Sequence, residues 1–392
     1  MQYQFSSRVS QLKASEIREI LKSTGQSGII SFAAGNPAPE AFPTELIERI
    51  SADILRSNPI DALQYSVTEG YTPLRNELKR FCKNRYEIGT ENDDLIIVSG
   101  AQQGIGLAAT VLCNEGDTVI CENPSFVGAL NAFRACGANL VGVETDNDGM
   151  NVEKLEKALI ENPNTKLIYL IPNFNNPTGR TMSLERRKAA YDLAKKYEVM
   201  ILEDNPYGDL RFSGEDVDSI KKYDTDGLVI YCGTFSKVLA PGIRVGYVLA
   251  PSEITAKIVT AKQTLDVHTN IWAQQLCHRM LTATDFNKHI QNLKDIYRRK
   301  CNLMLSCMDE LLDKRIEYTR TEGGLFIWCT LPEEVDMLDY CKRAVEAGVA
   351  IVPGTAFLAD KNTPCRSFRL NFSTPTNENI KKGIEILSQI KL

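Results

Sequence analysis

Tyr231-Cys-Gly-Thr-Phe-Ser-Lys237-Val-Leu-Ala-Pro-Gly-Ile-Arg244-Val-Gly246 is the stretch from which the rest of the chain can be read. The apolar run Leu228 to Cys232 leads into small and hydroxylic residues, then one lysine, then Gly-Ile-Arg. A lysine at a strand end can bond covalently to an aldehyde cofactor. Thr234, Ser236 and Arg244 supply hydroxyls and a guanidinium, the groups that hold a phosphate dianion. Together they predict a site for pyridoxal 5'-phosphate. A surface lysine after a strand fits the same short pattern, so the reading depends on the other segments.

Upstream, strand-like and helix-like segments alternate from about residue 45 to 280. Leu95–Val98, Thr118–Cys121, Leu140–Val143, Leu167–Ile171, Val199–Leu202, Leu228–Cys232 and Arg244–Leu249 are apolar runs of four to six residues. Such runs predict strands buried on both faces of a mostly parallel, seven-stranded sheet. The spacers Gln103–Leu112, Ser125–Cys136 and Leu184–Tyr197 have helical period. The alternation is that of an α/β fold. After about residue 285 the texture changes. A long amphipathic helix over 287–312 is followed by strands at 317–319 and 324–330, a helix over 335–347, strands at 350–352 and 367–372, and a last helix from Asn377. This predicts a smaller α+β domain. A short helix over 13–22, capped near Ser15, and the loop Ala34-Gly-Asn-Pro-Ala-Pro39 open the chain. The expected division is an N-terminal arm with part of the small domain (1–44), a large cofactor-binding domain (45–284) and a small C-terminal domain (285–392).

A chain of 392 residues exceeds the size of a typical single core, so two domains are expected. The net charge of −5, with both signs interspersed, argues against nucleic acid as a partner. No apolar run approaches a membrane span, and no apolar leader is visible at the N-terminus, so a cytoplasmic protein is expected. Eleven cysteines, an odd number with no Cys-x-x-Cys pair, read as reduced thiols. Three histidines without ligand spacing make a metal site improbable.

Four further segments fall at predicted strand ends. Ser99-Gly-Ala-Gln-Gln-Gly104 opens a helix, so the N–H groups of Ala101 and Gln102 can receive a phosphate. Glu122-Asn-Pro-Ser-Phe-Val127 carries an aromatic, Phe126, where a ring could stack. Asn173-Phe-Asn-Asn-Pro-Thr-Gly-Arg180 has turn chemistry. Glu203-Asp-Asn-Pro-Tyr-Gly208 places Asp204 at a buried strand end, a costly position for an unpaired carboxylate. A carboxylate there would keep a pyridine nitrogen protonated, and Tyr207 would reach the ring's phenolic oxygen.

These stations, in this order, resemble those of fold-type I, class I aminotransferases over essentially the whole chain. Within that family the 2-aminoadipate/kynurenine aminotransferase branch is the nearest likeness. It is carried by Leu63-Gln-Tyr-Ser-Val-Thr-Glu-Gly-Tyr-Thr-Pro-Leu-Arg75, by Phe235-Ser-Lys-Val-Leu-Ala-Pro-Gly-Ile-Arg244 and by Gly323-Gly-Leu-Phe-Ile-Trp328. The resemblance implies that Phe126 stacks on the cofactor ring and that Asn176 bonds its phenolic oxygen. It implies that Tyr65 crosses a homodimer interface to the partner's cofactor phosphate, with residues 268–270 near the partner's site. Arg369 would clamp the substrate α-carboxylate, and Gly35 and Asn36 would line the pocket. Arg18, in Ser15-Glu-Ile-Arg18, would read a distal carboxylate on an acidic substrate.

The implied activity is transfer of an amino group between an L-amino acid and a 2-oxo acid. Glutamate/2-oxoglutarate is expected as one pair, with 2-aminoadipate, an aromatic or an aliphatic amino acid as the other. Two alternatives keep the fold. One is a pyridoxal phosphate-dependent lyase or decarboxylase. The other is a fragment of a cofactor-sensing regulator, for which the chain starts too near the catalytic core to carry a DNA-binding domain.

Overall fold

The computed structural model describes residues 3–6, 10 and 28–392. The helix expected over 13–22, and Arg18 with it, lie outside the described residues. Strand β1 (Ile30–Ser31) opens the described fold. It runs parallel to a strand more than three hundred residues later.

A single large sheet dominates the middle of the chain. Its strands are β2 (Asp93–Val98), β3 (Thr118–Asn123), β4 (Asn139–Asp146), β5 (Gly149–Met150), β6 (Thr165–Leu170), β7 (Met200–Asp204), β8 (Val229–Thr234) and β9 (Gly246–Pro251). Their spatial order is β2-β9-β8-β7-β6-β3-β4-β5. The β3–β4, β3–β6, β6–β7 and β7–β8 pairs are parallel, while β9 is antiparallel to both of its neighbours. The seven expected strands are all present, and β5, a two-residue hairpin arm on β4, makes an eighth.

Two expectations need correction. The run Leu140–Val143 is not buried on both faces: only Val143 in β4 is buried, because β4 has just the short β5 beyond it. The run Arg244–Leu249 is not all strand: β9 starts at Gly246, and Arg244 sits at φ 55° in the left-handed region. That turn takes the guanidinium off the sheet and aims it back at the end of β2.

The C-terminal third forms a four-stranded sheet, β10 (Glu317–Tyr318), β11 (Phe326–Thr330), β13 (Val352–Pro353) and β14 (Ser367–Asn371), in the order β10-β11-β14-β13. The helix Phe286–Leu311 packs along the last helix, Asn377–Ser388. The apolar run expected as one strand over 350–352 divides between two sheets. Its first half, β12 (Val349–Ala350), pairs with β1, and Val352 pairs with Arg369 of β14. One fully buried residue, Ile351, turns the chain between them. The N-terminal loop is thereby tied to the sheet that carries Arg369.

Register then determines what meets at the sheet's edge. Cys121 stands beside Tyr169, Tyr169 beside Leu202, and Asp204 beside Cys232. Parallel strands end on one side, so the residues following β3, β6, β7 and β8 emerge together, where open α/β sheets bind ligands.

Candidate active site

Lys237 lies three residues past β8 and lines a cavity of about 770 Å³. Gly35, Ala101, Gln102, Phe126, Asn176, Asp204, Tyr207, Thr234, Ser236, Arg244 and Arg369 line the same cavity. Of the described residues expected around this chain's own cavity, Asn36 is not among its lining, and Tyr65, expected at the partner's site, lies apart from it. Asn36 is exposed, and its backbone carbonyl accepts from the Ser373 and Thr374 hydroxyls. Tyr65 is 82% exposed and meets His268 edge-on in a separate cleft.

The Lys237 Nζ donates to the Gly35 carbonyl at 2.8 Å. Burial above all, then the charges of Arg369 and Arg244, pull its pKa down to about 8, against the pull of Asp204. A low-lying amine is the form that can act as a nucleophile or base near neutral pH.

At the end of β7, Asp204 is buried. One carboxylate oxygen accepts from the Tyr169 hydroxyl at 2.7 Å. The other, also buried, has no partner among the described residues. Burial pushes the carboxyl up to about 7, opposed by the Tyr169 hydroxyl and the Lys237 charge. A buried carboxylate with a vacant oxygen is destabilising alone and becomes favourable once a cationic N–H meets it.

The Arg244 end of the cavity is built from backbone and hydroxyls. The helix Ala101–Leu112 begins beside Gly100, which has φ +81°. A Cβ on Gly100 would lie 2.4 Å from the Arg244 guanidinium, so only glycine lets the two approach. Arg244 donates to the Ser99 carbonyl at 2.9 Å. Across from it, the Thr234 and Ser236 side chains bond each other at 3.0 Å.

At the opposite end, Arg369 is buried between two rings, 4.2 Å from the Phe326 centroid and 4.9 Å from that of Phe357. Its terminal nitrogens donate to Asn176 Oδ1 at 2.8 Å and to the Ala33 carbonyl at 2.7 Å, while Nε has no partner among the described residues. Burial lowers its pKa to about 10, with Tyr207 raising it. Tyr207 packs edge-on against Phe326. Burial drives its hydroxyl well above the usual phenol range, while Arg369 lowers it.

The match to the family model for aminotransferase class I and II runs over residues 27–387. The chain belongs to the class I and II aminotransferases. Relatives agree over nearly full length. The chain is 41% identical to aromatic-amino-acid aminotransferase 1 of Thermococcus litoralis, covering 98% of this chain and 93% of that one. The Pyrococcus horikoshii kynurenine aminotransferase structure, solved with PMP, matches at 39% identity and TM-score 0.94, covering 98% and 96%. LysN, the α-aminoadipate aminotransferase of Thermus thermophilus, solved with N-(5'-phosphopyridoxyl)-L-leucine, matches at 36% identity and TM-score 0.90, with the same coverage.

This aminotransferase is therefore an enzyme of pyridoxal 5'-phosphate chemistry, and its cavity fits that group. The vacant Asp204 oxygen suits a protonated ring nitrogen, and the Arg244 corner opposite suits a dianion. Lys237 lines the same cavity as both.

Two residues at the site were not anticipated. Tyr169 orients Asp204 but lies inside an apolar strand, so its partner is set by the β6–β7 register. Glu122 is fully buried and accepts from the Ile171 N–H and the Asn175 amide, both at the base of the loop carrying Asn176. Burial raises its carboxyl to about 7. A charge at a buried strand end is the signal that marked Asp204, and it was present at Glu122 as well.

Proposed function

We propose that this aminotransferase exchanges amino groups between glutamate/2-oxoglutarate and a second amino acid of aromatic, aliphatic or 2-aminoadipate type. The observation that carries the reading is the placement of Arg369 in one cavity with Lys237 and Asp204. An α-amino acid whose carboxylate bonds the free Nε of Arg369 has its Cα turned towards the lysine. A carboxylate suits the planar guanidinium, which Phe326 and Phe357 hold between their faces. The apolar walls of Ile105, Phe126 and Val127 support aromatic and aliphatic side chains. The relatives named for aromatic amino acids, kynurenine and α-aminoadipate support the same range.

In this reading Lys237 would be the covalent anchor and, once the substrate amino group has displaced it, the general base whose free Nζ takes the proton from the substrate Cα. Bound pyridoxal 5'-phosphate supplies the sink for the electron pair left behind. Asp204 holds the proton on the ring nitrogen, oriented by Tyr169. Tyr207 and Asn176 hold the phenolic oxygen, and Phe126 covers a ring face. Ala101, Gln102, Thr234, Ser236 and Arg244 hold the phosphate.

The working form is a homodimer with shared sites, in which Tyr65 reaches the partner's phosphate. Exposed Ile60, Leu63, Tyr65, Val67 and Leu265 support an interface on that face. The division at residues 44/45 and 284/285 and a cytoplasmic location belong to the same reading. Among the described residues no helix is long and apolar enough to cross a membrane.

The test is a panel of amino donors with 2-oxoglutarate, ranked by kcat/KM, alongside assays for pyruvate and CO2 release without a keto acid. Release without amino transfer would replace this reading by a lyase or decarboxylase. Sedimentation of a fully active monomer would overturn the shared site.

A further inference from the structure

Ser99 is the hinge between the phosphate end of the cavity and a charged cluster behind it. All three of its polar groups are engaged. Its N–H donates to Gln103 Oε1 at 2.7 Å. Its hydroxyl donates to Asp266 Oδ2 at 2.8 Å and lies 3.0 Å from the Thr269 hydroxyl. Its carbonyl accepts from Arg244. Behind it, Lys262 Nζ reaches Gln103 Oε1 at 2.8 Å and the two Asp266 oxygens at 2.7 and 2.8 Å. Gln103 Nε2 closes the ring by donating to Asp266 Oδ2 at 2.8 Å. The Lys262 side chain is wholly buried.

None of Lys262, Asp266 and Gln103 lines the cavity. Yet the turn they grip presents the N–H groups of Ala101 and Gln102, and the same Ser99 carbonyl fixes the Arg244 guanidinium. Backbone donors bind a dianion tightly only when they are already aimed, because aiming them otherwise costs conformational entropy. A buried cation with three acceptors on two residues sets that geometry more firmly than solvent-exposed polar contacts can.

We propose that Lys262, Asp266 and Gln103 are positioning residues for the cofactor phosphate: they hold the Ser99–Gln102 turn and, through Ser99, the Arg244 side chain in the arrangement that receives the dianion. This rests on the phosphate placement proposed above. The brace therefore acts on the phosphate and not on the ring, so its loss discriminates between ligands with and without a phosphate.

Apoenzyme is titrated with pyridoxal 5'-phosphate and, separately, with pyridoxal, following the visible absorbance of each. Asp266→Asn keeps the shape of the side chain and removes its charge. It is expected to weaken pyridoxal 5'-phosphate by about 10- to 100-fold, the loss of one or two charge-assisted bonds, and to change pyridoxal by less than about threefold. Gln103→Met leaves the Lys262–Asp266 pair and the direct Ser99–Asp266 bond intact and removes the Gln103 bonds to the Ser99 N–H, Lys262 and Asp266. It is expected to show the same selectivity, and it carries the test if Asp266→Asn does not fold. Equal weakening of both ligands, or of neither, in Gln103→Met would overturn the brace. Arg244→Ala separates the two levels of the argument. If it spares pyridoxal 5'-phosphate, the phosphate placement itself is wrong. If it weakens the cofactor while both brace variants bind normally, the placement stands and the brace falls.

Discussion

Glu203 and Asp204 are neighbours on β7, both buried, and successive strand residues face opposite sides of the sheet. On one side Glu203 accepts from the Ser219 hydroxyl at 2.7 Å and from the N–H groups of Ile220 and Lys221 at 3.1 and 2.9 Å. On the other, Asp204 has one bond and one vacant oxygen. Two buried arginines repeat the contrast. Arg187 donates to the carbonyls of Met182, Val217, Asp218 and Pro172 and to the Asn173 side chain, engaging every nitrogen. Arg369 keeps Nε unpaired among the described residues. Burial lowers both guanidinium groups to about 10, so a shifted pKa does not separate them. The vacant valence does. Glu203 and Arg187 are fully partnered within the fold, whereas Asp204 and Arg369, which both line the Lys237 cavity, each keep one polar atom without a partner among the described residues.

The sharpest break between the two sides is expected at Lys237. Lys237→Ala should abolish amino transfer and the borohydride-reducible visible absorbance, with little loss of thermal stability. Near-full turnover in that variant would remove Lys237 from the chemistry.

Next come the two carboxylates, as a crossed pair. With saturating pyridoxal 5'-phosphate, Asp204→Ala should lower kcat by several orders of magnitude and leave Tm within a few degrees of the parent. Glu203→Ala should do the reverse. It removes the acceptor of three donors, of which the Lys221 N–H keeps the Ser219 hydroxyl oxygen at 3.2 Å; at about 1–3 kcal/mol for each left unsatisfied, Tm falls while residual kcat per folded molecule stays within a few-fold. Parallel losses in both assays for both variants would dissolve the distinction.

Arg369→Ala should damage every amino acid, because all share the α-carboxylate. Arg18→Ala, if Arg18 reads a distal carboxylate, should cost acidic substrates about 1.5–3 kcal/mol in kcat/KM and spare leucine and phenylalanine. Equal losses for acidic and apolar donors would make Arg18 structural.

The smallest effect is a pH dependence of apoenzyme stability. The Asp204 carboxyl rises from 3.8 to about 7 on folding, so between those values the folded chain binds more protons than the unfolded one. Its contribution to stability is full below pH 3.8 and is lost as pH rises through 7. Apo Asp204→Asn should therefore match the parent in Tm near the acid end and exceed it above neutrality, and the cofactor should reverse that gap. A gap that does not change with pH would mean Asp204 does not ionise in this range.

Much of the site was legible because strand ends announce themselves. An apolar run followed by small, hydroxylic or charged residues marks Ala101, Asp204 and Lys237 without any knowledge of their contacts, while Asn176 came only from the family resemblance. Tyr169 and the Lys262–Asp266–Gln103 brace were not legible. The Tyr169 bond depends on strand register, and the bonds from Ser99 and Gln103 to Asp266 and Lys262 span chain separations above one hundred residues. The bend at Arg244 was missed for a related reason: its apolar neighbours continue the strand pattern, and only the approach of Gly100 reveals the turn.

Local chemistry, then, carries the order of the stations, the α/β class and the choice of lysine, because hydrophobic period and strand-end composition are properties of adjacent residues. Which buried charge is complete and which is vacant is settled in three dimensions. Glu203 and Asp204 read alike in sequence, side by side at the end of one strand. One faces the Ser219–Lys221 segment and the other a cavity, and a hydrogen bond exists only where folding brings a partner within about 3 Å.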